Sequence, residues 1–256
     1  MGLFDLPAPF FSFIDQLLGG FLPAVVRVVL WGVLAGWLTM VVYRRLSRQD
    51  KIQVLKAEQK KQQKIISDFD GEFEELFPVI RHTLGLGMRQ LGLSLGPALL
   101  ATIPILFLVV WVAGQFGYDQ PVTGSAVNID INPQEQEISG FNWNPAGLAR
   151  KTETGWELSW PSPEQAVALT HEGYTLLELP AEHTIPVIHK HRWWNWLMAN
   201  PIGYLPDDAV PESIDIGLPE QQFLIFGPAW LRGWMFSFFF SFLLSSIGFK
   251  LALKID

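Results

Sequence analysis

Three stretches of this chain stay apolar for longer than either a helical or a strand period allows. The first, AVVRVVLWGVLAGWLTMVVY from Ala24 to Tyr43, carries one charge in twenty residues. The second is LGLSLGPALLATIPILFLVVWVAG from Leu91 to Gly114, and the third is WLRGWMFSFFFSFLLSSIGFKLAL from Trp230 to Leu253. About 20 apolar residues in a helix cross about 30 Å of hydrocarbon, so each stretch predicts a transmembrane helix. A soluble protein would have to bury three helices apolar on every face, and the composition opposes that. Only 17% of residues are charged, against about 25% in soluble domains.

Between the first two spans the pattern becomes helical and amphipathic. Ile52, Leu55, Gln59, Gln62, Ile66, Phe69, Phe73, Leu76 and Ile80 recur at the three-and-four spacing of a heptad seam, as in coiled coils. Asp68, Asp70 and Gly71 interrupt that seam, and the acidic GEFEELF after them opposes the basic KKQQK before them. The expected structure is an antiparallel hairpin, with one helix near Arg45 to Ser67 and the other near Glu72 to Leu84. A single unbroken helix is the alternative, and it would carry Gly71 internally at a cost of about 1 kcal/mol. Gly85, Gly87, Gly92 and Gly96 then allow a bend or close approach at the entry to the second span. Gly92 with Gly96, and Gly32 with Gly36, have the spacing of small-residue packing faces.

Beyond the second span the period shortens to two. Alternation in Val127–Ile131, Gly155–Trp160, Gly173–Leu179 and Thr184–Ile188 predicts short strands separated by Pro, Gly and Asn turns. A small β-sandwich-like domain of five to seven strands is expected over residues 115–190. Its core is small, so it is expected to lean on the membrane or on a partner. HRWWNWLMANPIGYLP follows, and Trp193, Trp194, Trp196 and Tyr204 favour the headgroup layer. An interfacial helix of two or three turns is expected there, with a partner-binding aromatic knob as the alternative. The opening residues 1–23 lack the basic start of a signal peptide and read as an interfacial amphipathic segment.

Charge changes the picture by orienting it. The chain has a formal net charge of -7, yet the loop over residues 44–90 holds ten Lys or Arg. The segment over residues 115–228 holds four, with fifteen Asp or Glu. The positive-inside tendency puts the basic hairpin and the C-terminus in the cytoplasm and the N-terminus and β domain outside. The expected location is a bacterial inner membrane, crossed several times, with the β domain in the periplasm. Arg44, Arg45, Arg48, Lys51, Lys56, Lys60, Lys61 and Lys64 form a cytoplasmic docking surface for anionic lipid or a ribosome. No element for sequence-specific nucleic-acid reading is present.

Candidate chemistry is sparse. No Ser-His-Asp order, P-loop or dinucleotide fingerprint occurs, so the chain reads as a non-catalytic protein needing no cofactor. The chain has no cysteine, so the exported segment holds together by packing. His189 and His191 would share one side of a strand, with His183 or Glu182 completing a zinc or copper site. Without Cys or a HExxH spacing, they read rather as solvated or interfacial. Polar residues within or at the ends of the spans are Arg27, Thr39, Thr102, Gln115, Arg232 and the face Ser237, Ser241 and Ser245. An arginine there either snorkels outward or meets a hydrated cavity. The serines either permit tight packing or line a polar groove.

One span, a basic helical hairpin, a proline-marked span GPALLATIPILFLVVWV and a last span WLRGWMFSFFFSFLLSSIGFKLAL together resemble the YidC/Oxa1/Alb3 insertase superfamily. The three-span form is most similar to its EMC3/TMCO1/DUF106 branch. The resemblance covers residues 25–118 and 226–253. It implies an α-helical polytopic membrane protein that inserts or chaperones hydrophobic client polypeptides through a hydrated groove, with Arg27 in the place of a groove arginine. The external β domain before the last span is an addition to that plan. It raises the alternative of an accessory or assembly subunit held in a larger envelope complex. The expected order is an interfacial segment (1–23), a first span (24–43), a cytoplasmic hairpin (44–90) and a second span (91–114). The β domain (115–190), an aromatic interfacial helix with linker (191–228) and a third span (229–253) follow.

Overall fold

A computed structural model describes residues 2–132, 140–181 and 183–255, with Phe73 by its backbone alone. Glu182, one of the residues considered for a metal site, lies outside the described residues. Among the described residues six α-helices run in chain order: α1 (Ala8–Gly19), α2 (Ala24–Leu46), α3 (Gln49–Ser67), α4 (Phe73–Phe116), α5 (Ala229–Arg232) and α6 (Trp234–Ala252). Three of them, α2, α4 and α6, contain windows long and apolar enough to cross a membrane. Only 28, 22 and 17% of those windows is buried by the protein itself, so most of their apolar surface needs lipid or another apolar partner. Contacts divide the chain into two units, Met1–Val28 with Phe107–Ser237 and Val29–Leu106 with Phe238–Asp256.

The second unit is helical. α3 ends at Ser67 and α4 begins at Phe73, so the chain leaves helix at residues 68–72. Ile52 and Leu86 are buried in this unit, and Leu55, Gln59, Gln62 and Ile66 are half-buried. Glu58 Oε1 lies 3.5 Å from His82 Nε2 across the break. Two boundaries differ from expectation. α2 continues to Leu46 and breaks at the buried Ser47, whose hydroxyl accepts from Gln49 Nε2 at 2.8 Å, so α3 begins at Gln49 and not near Arg45. The second hairpin helix does not stop near Leu84 either. It passes through Gly85–Gly96 and through Pro78, Pro97 and Pro104 as one helix of 44 residues. A proline removes one hydrogen bond and bends a helix without always ending it, and no proline lies between Pro78 and Pro97 to stop the helix near Leu84.

The first unit holds the β domain. A five-stranded sheet has the order β3–β4–β1–β8–β7 and a three-stranded sheet the order β2–β5–β6. The strands are β1 (Ala126–Asn132), β2 (Phe141–Asn144), β3 (Ala149–Lys151), β4 (Gly155–Ser159), β5 (Val167–His171), β6 (Tyr174–Leu179), β7 (Val187–His189) and β8 (Ser213–Ile216). All named pairings are antiparallel, including β1 with β8 in the register Ile129 to Ile216 and Ile131 to Ile214. One core spans both sheets, with Ile129, Ile131, Trp143, Trp156, Leu169, Leu179 and Ile214 buried in it. Alternate residues of a strand face opposite sides, which is why β1 buries Val127, Ile129 and Ile131 and turns Asn128 outward. The expected boundary at residue 190 is corrected: β8 sits between β1 and β7, so the domain closes only at Ile216. Its four residues alternate just twice, too briefly to stand out from the linker around them.

The aromatic segment is also shorter in helix than expected. Only one 3-10 turn, Trp193–Trp196, forms. Asn195 closes it, accepting from Arg192 N at 2.6 Å and donating to Met198 O at 3.2 Å. Pro201 and the positive φ of 94° at Gly203 then bend the chain back, so that Leu205 N reaches His189 O at 3.1 Å. The amino-terminal segment packs against this turn. Phe4 N donates to Leu197 O at 2.8 Å, and Asp5 Oδ2 accepts from Gly2 N at 2.8 Å and Ala199 N at 3.0 Å. On α1, Phe10, Phe13 and Leu17 are exposed while Asp15 is buried. That is the reverse of a soluble helix, and it suits an apolar surrounding.

Candidate functional site

One face of α4 lies open in the helical unit. At helical spacing it presents Leu84, Met88, Leu91, Leu95, Leu99 and Leu106, all exposed. Gly85, Gly92 and Gly96 interleave with them, and a Cβ built at any of the three meets nothing within 4 Å. The opposite face carries the contacts, with Leu86 and Ala101 buried. At 1.5 Å per residue, 44 residues span about 66 Å, roughly twice the hydrocarbon thickness. The apolar face therefore starts more than one turn before Leu91, beside the charged Arg81 and Arg89. Thr102 belongs to this face, and its hydroxyl donates to Leu99 O at 2.6 Å, which satisfies it without a neighbour.

The serine face of α6 behaves differently. Ser241 is buried and donates to Phe238 O at 2.9 Å, while Ser245 donates across to Val33 O on α2 at 2.8 Å. Opposite them are Gly32 and Gly36. A Cβ at Gly32 would stand 2.5 Å from Phe238 O and closer still to Ser241 Oγ, and one at Gly36 would stand 2.7 Å from Phe242 O. Two backbones approach because neither side carries bulk, and the serine hydroxyls are satisfied within the pair. Of the two expected uses of this face, packing is the geometry observed at Ser241 and Ser245. Ser237 is buried on the same side of α6. Thr39 donates to Ala35 O at 2.7 Å and so bonds back into its own helix.

Arg27 takes neither of the fates expected for it. Its guanidinium pairs with Asp15 of α1, and the two side chains are 18% and 2% exposed. Its Cζ lies 5.3 Å from the centroid of the Phe116 ring. Around this pair, Trp111 Nε1 donates to Ser12 Oγ at 2.9 Å, and the Phe11 and Trp111 rings are 5.6 Å apart. A charge in an apolar medium persists when an opposite charge compensates it, and Asp15 supplies that compensation. The only sequence signal for the pair was an acid buried in an otherwise apolar run, twelve residues before an arginine.

The remaining candidates are dispersed. Arg232 donates to Gln222 Oε1 at 3.3 Å, and Gln115 is exposed. Of the basic cluster, Lys56 is half-buried, and Arg44, Arg45, Arg48, Lys51, Lys60, Lys61 and Lys64 are exposed. His189 and His191 do share a neighbour, the Tyr204 ring at 5.8 and 4.9 Å, and His189 also lies 5.1 Å from Trp194. His183 is exposed. No group of three metal-ligating side chains occurs among the described residues. Trp193 and Trp196 are exposed, while Trp194 and Tyr204 are half-buried. Nearby, the Lys190 ammonium donates to Glu212 Oε1 at 2.9 Å and holds that carboxyl below its usual range. Burial pushes Asp119 upward.

No family model matches this chain, and neither a characterised protein nor a solved structure resembles it at a significant level.

Proposed function

We propose that this protein is a membrane-protein insertase or chaperone of the YidC/Oxa1 kind, and that it offers the open face of α4 to apolar client segments. The observation that carries this reading is the unpartnered leucine and glycine face running from Leu84 to Leu106. In hydrocarbon, helices associate by close van der Waals packing at small residues. Gly85, Gly92 and Gly96 are notches into which a client helix fits, between ridges of leucine. The stretch at Leu84 and Met88 lies outside the span expected from Leu91 to Gly114, where an apolar segment arriving from water first needs cover. Holding it there lowers the cost of passing its polar flank through lipid. In this reading the exposed basic hairpin is cytoplasmic and meets anionic lipid or a ribosome, and the β domain is periplasmic in a bacterial inner membrane.

Photocrosslinking from the full chain in membranes tests it. A photoreactive residue at Met88 or Leu95 is expected to capture many nascent membrane segments during translation, whereas one at Ile247, on an exposed part of α6, captures lipid. Capture of a single stoichiometric protein from Met88 and Leu95 would replace the reading with that of an accessory subunit in a larger complex.

A further inference from the structure

The β domain has an open cleft on one flank. We propose that it is a binding site for an extended peptide segment of a partner protein, one with apolar residues alternating with Lys or Arg, which adds as a strand beside β6. This site is separate from the α4 face and stands or falls independently of client handling.

Four observations carry it. First, β6 is an edge, since the three-stranded sheet ends there. Among the described residues nothing outside β5 bonds the Thr175–Leu179 backbone. Alternate N–H and C=O groups of such an edge point outward as a template. Second, the corresponding flank of the other sheet is already closed. Asn200 Nδ2 donates to Val187 O at 2.8 Å and Leu205 N to His189 O at 3.1 Å, so the residues from Asn200 to Leu205 cover β7. Third, between the two flanks lies a cleft of about 530 Å³, lined among others by Leu177, Leu179, Ile188 and Ile202. That volume is within the range of real ligand sites, roughly 300–1,000 Å³. Fourth, Glu164 and Glu178 line it and are exposed, and no lysine or arginine occurs among the described residues that line it.

The chemistry of the occupant follows. A strand laid along the six residues of β6 turns alternate side chains toward the cleft and the rest toward water. Inward positions meet Leu177, Ile188 and Ile202 and must be apolar. Outward positions flank Glu178 and Glu164 and are matched by Lys or Arg. Backbone pairing supplies affinity and the alternation supplies specificity, as in other strand-addition sites.

The test uses the full chain in nanodiscs of zwitterionic lipid and a capped octapeptide of alternating Lys and Val. Saturable binding is expected by fluorescence anisotropy, with at least tenfold slower hydrogen exchange at β6 amides. Glu164→Lys combined with Glu178→Lys is expected to weaken binding about tenfold, two rim pairs having been turned into repulsions. The same peptide N-methylated at alternate residues loses the donors for edge pairing, and its binding is expected to disappear with the protein unaltered. Absence of binding would overturn the proposal. Equal binding of the methylated peptide, with no protection of β6, would also overturn it by showing adsorption through charge alone. Protection of β6 in the free protein that rises with protein concentration would assign the edge to a second copy of this chain instead.

Discussion

The contrast between two pairs of glycines gives a quantitative test of how the helical unit is held. Gly36 on α2 and Gly92 on α4 both belong to small-residue spacings, so the sequence treats them alike. A methyl group at Gly36 would stand 2.7 Å from Phe242 O and 2.8 Å from both Cβ and Oγ of Ser245. Two of these atoms, the carbonyl and Cβ, cannot move without moving α6. The third is the hydroxyl that donates to Val33 O. Overpacking a filled contact costs about 1–3 kcal/mol, and an interhelical hydrogen bond in a membrane averages about 0.6 kcal/mol. Against this, alanine in a helix gains up to about 1 kcal/mol over glycine. Gly36→Ala is therefore expected to destabilise by about 2 kcal/mol. At Gly92 a methyl group meets nothing within 4 Å, so Gly92→Ala is neutral or stabilising by a few tenths of a kcal/mol. Reversible unfolding in mixed micelles, followed by helical circular dichroism, should separate the two variants by about thirtyfold or more in equilibrium constant. Ser245→Ala should not rescue Gly36→Ala, because Phe242 O and the residue 245 Cβ remain. Equal stability of the two glycine variants would refute the close approach of α2 and α6.

The buried pair makes a second prediction. Asp15→Ala leaves the Arg27 charge uncompensated and is expected to cost about 3 kcal/mol, whereas Asp15→Leu with Arg27→Leu recovers most of that loss. Thermal unfolding of the solubilised protein reads both, and a double variant as unstable as the single would show that the charges do not act as a pair. For orientation, a thiol reagent that cannot cross the inner membrane is expected to label Ser162→Cys but not Ser67→Cys in the cysteine-free chain. Labelling at residue 67 alone would invert the assignment.

Apolar length and the alternating strands were written locally, and the three long apolar helices and β1, β4 and β6 follow from them. Each rests on a run of residues whose period decides the conformation without help from elsewhere. The four residues of β8 carry no such run. Their strand exists because β1 and β7 leave a gap between them, so the sheet and not the local pattern made it. Neither does spacing reveal which small residues touch. Gly32 and Gly36 are filled by α6 while Gly92 and Gly96 face open space, a difference made by which helix comes near. Arg27 is the sharpest case. The sequence by itself determined that an arginine in an apolar run must find water or a partner. Only the tertiary structure brought Asp15 to it from another helix, because compensation of a charge depends on distance in space and not on separation along the chain.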